Sequence, residues 1–250
     1  MSYVHKINKS RSLFKKFLEP EWDVSVISDY SDEEIEKLYN LKSSKNPLSF
    51  GKAGNLNITL EHSKIKSHKL HIIYFNFPEI NSQPLKVTKQ CADKINKLYL
   101  EEHIEPEDSL IIVITEKISE NLEKAIEDLY KLGQENLKIN GLSDNIIDEN
   151  EKLNEEKYRI DYFRNSHIFC INNISFDISL NITVPKHTCI RNKENIKKIL
   201  KKVNATENQM PIISRTDPMA KLIRLCPGDM CEITRKSERC GEYKYYRICN

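Results

Sequence analysis

The sequence has 250 residues, a formal net charge of +2 at pH 7 and 39% hydrophobic residues. This length is enough for two ordinary domains, and the small net charge gives no case for a protein that coats nucleic acid. No apolar run approaches the roughly 20 residues that span a bilayer, so we expect no membrane segment.

A basic amphipathic segment opens the chain. Residues 3–19 carry five Lys or Arg side chains and no acid before Glu19, and an apolar stripe includes Leu13 and Phe14. This pattern predicts a helix that packs on its own domain and leaves a basic face in solvent. After it we predict an extended segment over 22–27, a helix over 31–39 that starts with a capping motif, and a strand over 56–61.

The next elements alternate between strand and helix. We predict a strand over 70–77, a helix over 86–100, a strand over 110–115 and a helix over 119–130. The strand at 110–115 is a nearly continuous β-branched run, which is typical of a strand buried on both faces. The order predicts a βαβ unit and an open sheet covered by helices.

Residues 133–157 contain seven acidic side chains and three lysines, with Gly133 and Gly141 as helix breakers. We interpret them as an exposed acidic connector. A second domain is predicted from residue 158, with strands over 168–171 and 176–184 and a helix over 192–203. The stretch 186–202 is rich in Lys and Arg with Glu194 as its one acid. Three interpretations of this basic stretch stay open: a solvated surface, a docking site for an acidic partner, or a contact with nucleic-acid phosphates.

The last 40 residues predict a short helix followed by a hairpin. Asp217 is a good N-cap residue, and Pro218 suits the first helical position. Gly228 follows a proline in a predicted tight turn. Strands are predicted over 229–235 and 243–249. Cysteines at 226, 231, 240 and 249 raise the alternative of a zinc site, but their placement on strands favours buried free thiols, and we expect no metal.

This carboxy-terminal pattern resembles the fifth subunit of eukaryotic nuclear RNA polymerases and its counterpart in archaeal polymerases. The residues that carry the resemblance lie in two places. The first is the box Asn181-Ile-Thr-Val-Pro-Lys-His187, in which the family's first histidine is replaced by Asn181. The second is the terminal segment, with matching positions at Asp217, Pro218, Ala220, Gly228, Asp229, Ile233, Arg235, Ser237, Glu238, Gly241, Tyr243, Tyr246 and Arg247.

The resemblance implies an α/β plus α+β fold. Residues 1–132 would form a restriction-endonuclease-like jaw domain, 133–157 the acidic connector, and 158–250 a smaller mixed α/β assembly domain. It also implies a non-catalytic polymerase subunit, present as one copy per complex, that anchors on the largest subunit beside neighbouring small subunits. The residues we expect at the docking site are Pro185, His187, Arg215, Asp217, Pro218, Gly228, Arg235, Tyr246 and Arg247.

The jaw domain would lie near downstream duplex DNA and contact it without reading its sequence. We name Lys86, Lys89, Lys117 and Ser119 as the DNA-proximal residues. The resemblance implies that the protein works at the site of transcription. This would be the nucleus of a cell, or the cytoplasmic factory and virion of a large DNA virus, whose AT-rich genomes fit the abundance of Lys, Ile and Asn.

Two other functions stay open from the sequence. A free-standing endonuclease-like DNA-processing factor would need an acid-x-Lys pair for Mg²⁺ on the jaw sheet, and residues 1–150 contain no such triplet. His187 could act as a general base, but no nucleophile or orienting acid stands near it in the sequence. A polymerase-independent interaction module is the other alternative. We expect no catalytic residues and no cofactor.

Overall fold

The computed structural model describes residues 2–41, 46–80, 82–139, 159–237, 239 and 241–250. The chain divides into two compact units. The amino-terminal unit comprises residues 1–146 and 163–176, and the carboxy-terminal unit comprises residues 147–162 and 177–250. In the described part of the chain, no helix combines the length and apolar character needed to cross a bilayer.

The amino-terminal unit has one sheet with helices on both faces. Its helices and strands are α1 (Tyr3–Leu18), α2 (Asp32–Asn40), β1 (Ile58–Glu61), β2 (Lys69–Tyr74), α3 (Gln90–Leu100), β3 (Ser109–Ile114), α4 (Glu120–Ile139) and β4 (Ser166–Cys170), with short 3-10 helices at Val24–Val26 and Lys52–Leu56. The sheet order is β1-β2-β3-β4, in which β1 and β2 are antiparallel and the other neighbours are parallel.

Alternation of side chains along the strands gives this sheet two different cores. On one face, Ile73, Ile112 and Ile168 pack with α3 and α4. On the other, Phe14 of α1 meets Phe169 with ring centroids 6.0 Å apart. Every residue of β3 is buried, as the β-branched run predicted. The βαβ unit is therefore confirmed, and α1 buries its apolar face on its own unit.

The predicted boundary at residue 158 differs from the division in the structure. Strand β4 pairs in parallel with β3, with Leu110 opposite Ser166 and Ile114 opposite Cys170. All five residues of β4 are buried. Residues 163–176 therefore group with the amino-terminal unit, because a strand without exposed residues needs a sheet that is covered on both faces.

Gly133 does not break a helix, contrary to the sequence prediction. Helix α4 continues through it to Ile139. A Cβ atom at residue 133 would lie 2.3 Å from Cδ of Arg164, so glycine is needed there for the close passage of a side chain. The predicted connector thus begins inside α4, and its residues 140–157 lie outside the described part of the chain.

The carboxy-terminal unit is built around a second sheet. Its elements are β5 (Lys186–Ile190), α5 (Lys193–Val203), β6 (Ile212–Ile213), α6 (Pro218–Leu222), β7 (Met230–Ser237) and β8 (Gly241–Cys249), with 3-10 helices at Ile160–Tyr162, Ile178–Leu180 and Glu207–Gln209. The sheet order is β5-β7-β8-β6. Strands β6 and β8 are parallel, and the other pairs are antiparallel.

Each face of this sheet has its own small core. Cys231, Ile233 and Cys249 pack with Ala220 of α6. Met230, on the opposite face, packs with Ile196 and Leu200 of α5. Helices α5 and α6 therefore cover opposite faces of one sheet, which confirms a mixed α/β architecture for this unit.

Two segments predicted to be extended form 3-10 helices. Residues 176–184 contain the 3-10 helix Ile178–Leu180, in which the side chain of Asp177 accepts the backbone N–H of Ser179 at 2.9 Å. Residues 22–27 likewise contain Val24–Val26, capped by Asp23. In both places a local side-chain acceptor competes with strand pairing. The strand of this region is β5, which begins after Pro185.

Candidate docking surface of the carboxy-terminal unit

The start of α6 is fixed by its own side chains and by the chain end. Asp217 accepts the backbone N–H groups of Met219 and Ala220 at 2.8 and 3.2 Å. Pro218 occupies the first helical turn. The backbone N–H of Arg215 donates to the carbonyl of Asn250 at 3.0 Å. The predicted capping role of Asp217 is confirmed, and Arg215, whose side chain is buried, belongs to the interior of the unit.

Gly228 is required by the turn between α6 and β7. Its φ of 80° lies in the left-handed region, where a side chain is strained. A Cβ atom there would also lie 2.1 Å from Nη1 of Arg159. Its N–H donates to the carbonyl of Cys249 at 2.9 Å. Gly228 is thus a structural residue that lets an arginine pass close to the backbone.

A buried ionic centre lies beside that turn. The carboxylate of Asp229, only 1% exposed, contacts Arg159 and Arg191, each at 2.5 Å. It also accepts the backbone N–H of Cys226 at 2.9 Å. Arg191 donates to the carbonyl of Arg224 at 3.0 Å and stacks on Tyr162, 4.5 Å from the ring centroid. Charges buried to this degree are stabilised when paired and hydrogen-bonded.

The sequence does not predict this centre. Arg191 there is one of the cations of the basic stretch 186–202, and no sequence pattern involves Arg159. One sequence feature indicates the ionic centre: Asp229, which follows Gly228, is an acid at the start of a predicted strand. Its partners lie 38 and 70 residues away, so pairing could only be decided by the fold.

Burial also sets the chemistry of the cysteines in this unit. It raises the pKa of Cys226 and Cys231 to about 11 and that of Cys249 to about 12. Burial therefore favours the neutral thiol over the thiolate at these three positions. Their buried positions match the sequence prediction, and Cys240 lies outside the described residues.

Arg224 is fully enclosed beside the ionic centre. Burial lowers the pKa of its guanidinium to about 10. Its backbone φ of 55° is left-handed, a conformation that is uncommon for a residue with a Cβ atom. Two other buried or half-buried arginines, Arg191 and Arg215, add to the lowering of this pKa because like charges disfavour the ionised form.

The β7–β8 hairpin presents an aromatic and cationic face. Arg235, Tyr245 and Arg247 lie on one face of the hairpin. Ile233, opposite Tyr245, and Cys231, opposite Arg247, lie on the same face. The two guanidinium groups stand 5.2 and 5.4 Å from the Tyr245 ring centroid, within the range of cation–π attraction. Tyr243, opposite Arg235, is 41% exposed. These four residues are called the hairpin face below.

Tyr246 lies on the other side of the hairpin, although it was predicted to dock together with Arg247. Its hydroxyl donates to Glu232 at 3.1 Å, and Lys244 pairs with the same carboxylate at 2.9 Å. Partial burial, with a smaller effect from Glu232, raises the pKa of Tyr246. Because neighbouring residues of a strand point to opposite faces, the structure brings Arg247 together with Arg235 and not with Tyr246.

Pro185 and His187 form a local turn at the edge of the same sheet. The Nδ1–H of His187 donates to the carbonyl of Pro185 at 2.8 Å. The side-chain oxygen of Asn181 accepts hydrogen bonds from the backbone N–H and the hydroxyl of Thr183 at 3.0 and 2.9 Å. The residue that replaces the family's histidine therefore has a local structural role.

The four residues predicted to lie near DNA belong to two neighbouring loops of the amino-terminal unit. Lys86, Lys89, Lys117 and Ser119 are all exposed. The backbone N–H of Val87 donates to the carboxylate of Glu116 at 2.9 Å, which joins the loop before α3 to the loop after β3. The structure thus brings the two segments together at one end of the sheet.

Comparison with known families bears mainly on the carboxy-terminal unit. The profile of the family described as RNA polymerase Rpb5, C-terminal domain, matches residues 176–249. DNA-directed RNA polymerase subunit Rpo5 of Pyrococcus abyssi is 40% identical over 73 residues, which span 29% of this chain and 88% of that protein.

Rpo5 proteins of other archaea give the same result. The protein of Archaeoglobus fulgidus is 39% identical over 75 residues, 30% of this chain and 97% of its own length. That of Nitrosopumilus maritimus is 44% identical over 66 residues, 26% of this chain and 78% of its own length. A stretch of about 30% of this chain is therefore similar to most of the length of an archaeal Rpo5 protein.

Proposed function

Because the chain belongs to the Rpb5 and Rpo5 family of DNA-directed RNA polymerase subunits, we propose that it is a non-catalytic subunit that docks on the largest subunit. It is part of a multisubunit polymerase and works at the site of transcription. Docking is the task of the carboxy-terminal unit, since this is the part shared with the archaeal proteins.

The observation that carries the docking proposal is the hairpin face. Tyrosine and arginine are the residue types that most often supply binding energy in protein interfaces. Arg235, Tyr245 and Arg247 hold one another by stacking, and eight residue pairs between β7 and β8 fix their backbone. Preorganised side chains lose little entropy when a partner binds.

Several other predicted docking residues fix the elements next to this face. Asp217 and Pro218 start α6, whose Ala220 packs with Cys231 and Ile233 on the same side of the sheet. Gly228 and the Asp229 centre fix the entry into β7. Substitution at these positions should act through folding, whereas substitution on the hairpin face should act through binding.

The amino-terminal unit would be the jaw, with an endonuclease-like fold. A mixed sheet whose parallel strands are joined by α3 supports this proposal. The exposed Lys86, Lys89 and Lys117 would contact downstream duplex DNA through its phosphates, without reading bases. One copy would be present in each complex, beside neighbouring small subunits.

A non-catalytic role agrees with the state of the candidate reactive groups. The ring of His187 is engaged with the carbonyl of Pro185. Asp108, a buried acid directly before β3, accepts the backbone N–H of Lys69 at 2.7 Å and the ring N–H of His71 at 3.0 Å. It therefore does not present its carboxylate to a metal ion as a nuclease would need.

Co-purification from the native source tests the docking proposal. Tagged chain should elute with the polymerase large subunits in near-equal amounts. Arg235→Glu and Arg247→Glu should each reduce this yield at least tenfold, because they place an acid in an aromatic and cationic face. Lys236→Glu is the matched control, since it reverses an exposed charge on the same hairpin but on the opposite face.

The outcomes separate the alternatives. Wild-type chain that elutes without polymerase subunits would refute the proposal and favour an independent interaction module. Equal losses for Lys236→Glu and Arg235→Glu would place docking elsewhere on the unit. Metal-dependent cutting of DNA by the purified chain would instead support the endonuclease-like factor.

Photo-crosslinking in the assembled polymerase tests the DNA contact. Crosslinkers at positions 89 and 117 should label downstream duplex DNA. A crosslinker at position 66, an exposed lysine outside the two loops, should not. Equal labelling from all three positions would remove the assignment of these loops.

A further inference from the structure

Helix α5 carries a concentration of positive charge that docking through the hairpin face does not use. Five of its eleven residues are lysines, and all five are exposed: Lys193, Lys197, Lys198, Lys201 and Lys202. The buried residues of the helix, Ile196 and Leu200, face the sheet. The lysines therefore occupy the half of the helix that points away from the unit.

These charges are not neutralised within the described residues. None of the five lysines forms an ion pair there, and the helix contains a single acid, Glu194. Three pairs of lysines stand four residues apart, at 193 and 197, 197 and 201, and 198 and 202. Like charges at this spacing destabilise a helix. Repulsion between these lysines therefore destabilises α5, and a bound polyanion would reduce that repulsion.

The composition of the face favours phosphates over an acidic protein segment. Protein interfaces are depleted in lysine at their centres and use aromatic, methionine and arginine anchors. On α5 the one large apolar side chain that is exposed is Val203, at 43%. Arg191, the nearest arginine before the helix, is held by Asp229. Lysine as a point charge suits phosphate contacts that need no fixed geometry.

The same face favours a duplex over a single strand. Proteins that hold single strands stack the bases on aromatic side chains, and α5 contains no aromatic residue. The lysines span ten residues, from 193 to 202, or roughly 13 Å along the helix axis. A DNA duplex presents about eight phosphate charges over such a length. A duplex therefore offers more phosphates over this length than the five lysines need for one contact each.

We propose that the exposed lysine face of α5 is a second nucleic-acid contact, which binds the phosphate backbone of duplex nucleic acid without regard to sequence. This contact is distinct from the loops of the amino-terminal unit that carry Lys86, Lys89 and Lys117. It depends on charge and helix shape alone, so its affinity should fall steeply with salt.

The test measures binding of the full chain to a fluorescent 24-base-pair DNA duplex at several salt concentrations. A variant with Lys→Gln at 197, 198, 201 and 202 removes four charges and keeps good helix formers. The matched control carries Lys→Gln at 66, 97, 124 and 138, four exposed lysines of the amino-terminal unit. Circular dichroism checks that both variants are folded.

The α5 variant should bind at least tenfold more weakly at low salt. Its slope of log K against log salt should be shallower by about 2 to 4, since each phosphate contact contributes about 0.9. The control should keep most of the wild-type slope. Equal effects of the two variants, or an unchanged slope in the α5 variant, would overturn the proposal. A single strand of DNA is measured in parallel, and tighter binding of the single strand than of the duplex would also overturn the proposal.

Two further outcomes have defined meanings. If the α5 variant keeps DNA binding but loses binding to a poly-glutamate peptide, the face is a protein dock and the proposal is wrong. The α5 variant should still co-purify with the polymerase, because its substitutions lie off the hairpin face. Loss of DNA binding with normal co-purification would therefore support this contact without touching the docking proposal.

Discussion

Asp229→Asn should lower the free energy of unfolding of the carboxy-terminal unit more than substitution of an exposed residue does. The substitution leaves Arg159 and Arg191 without the carboxylate that both contact. Breaking a buried ion pair costs about 3–5 kcal/mol because the remaining charge is left unpaired. The arginine side chains are 19% and 14% exposed, so water partly solvates them and we expect about 3 kcal/mol.

Hydrogen exchange followed by mass spectrometry measures this loss of stability in the carboxy-terminal unit separately from the amino-terminal unit. Peptides from β7 and β8 should exchange on the order of 100-fold faster in the variant, since about 1.4 kcal/mol corresponds to a factor of ten. The chain has a single tryptophan, Trp22, which is buried in the amino-terminal unit. Its fluorescence in urea reports whether that unit is also affected.

A surface ion pair of the same unit provides the control. Lys244 is 60% exposed and pairs with Glu232, so water screens the attraction. Lys244→Gln should leave exchange in β7 and β8 close to wild type. If Asp229→Asn accelerates exchange less than about fivefold, roughly 1 kcal/mol, then the Asp229 centre does not hold the unit together and the reasoning is refuted.

Two more predictions concern backbone and thiols. Gly228→Ala should cost about 3 kcal/mol in urea unfolding, because a left-handed residue with a Cβ atom is strained and the new Cβ atom displaces the guanidinium of Arg159 from its ion pair with Asp229. Gly241→Ala, with φ +69° and open space around it, should cost about 1 kcal/mol, and equal costs would contradict the displacement of Arg159. Folding raises the pKa of Cys226, Cys231 and Cys249, so these thiols ionise in the unfolded chain at a lower pH than in the folded unit. The free energy of unfolding should therefore be highest below pH 9 and fall between pH 9 and about 11–12. Urea titrations of wild type and Cys249→Ala across this range check the sign, and a stability that rises with pH would contradict it.

Local sequence patterns predicted most elements of this protein. The all-buried run of β3, the capping motif before α2 and the Asp217-Pro218 start of α6 are each visible in a few adjacent residues. A helix over 192–203 was also predicted, and α5 spans Lys193–Val203. These features depend on backbone propensity and on alternation of apolar residues, which neighbouring residues determine.

Local patterns failed where a distant residue changes the meaning of a position. Gly133 has the composition of a helix breaker, yet it lies inside α4 because Arg164 passes over it. Strand β4 was assigned to the second domain because it follows the acidic connector, yet it pairs with β3. Residues 178–180 have a strand-like composition, but Asp177 caps them as a 3-10 helix.

The candidate site shows the same division. The motif positions from Asp217 to Arg247 and the family they indicate come from the sequence alone, because they are fixed residues at fixed spacing. The tertiary structure alone decided that Arg247 stands with Arg235 and away from Tyr246, and that Arg191 pairs with Asp229 and leaves the basic surface to α5. The reason is physical: sequence spacing gives the face of a strand or helix, but only the packing of elements determines which charges meet and which remain in solvent.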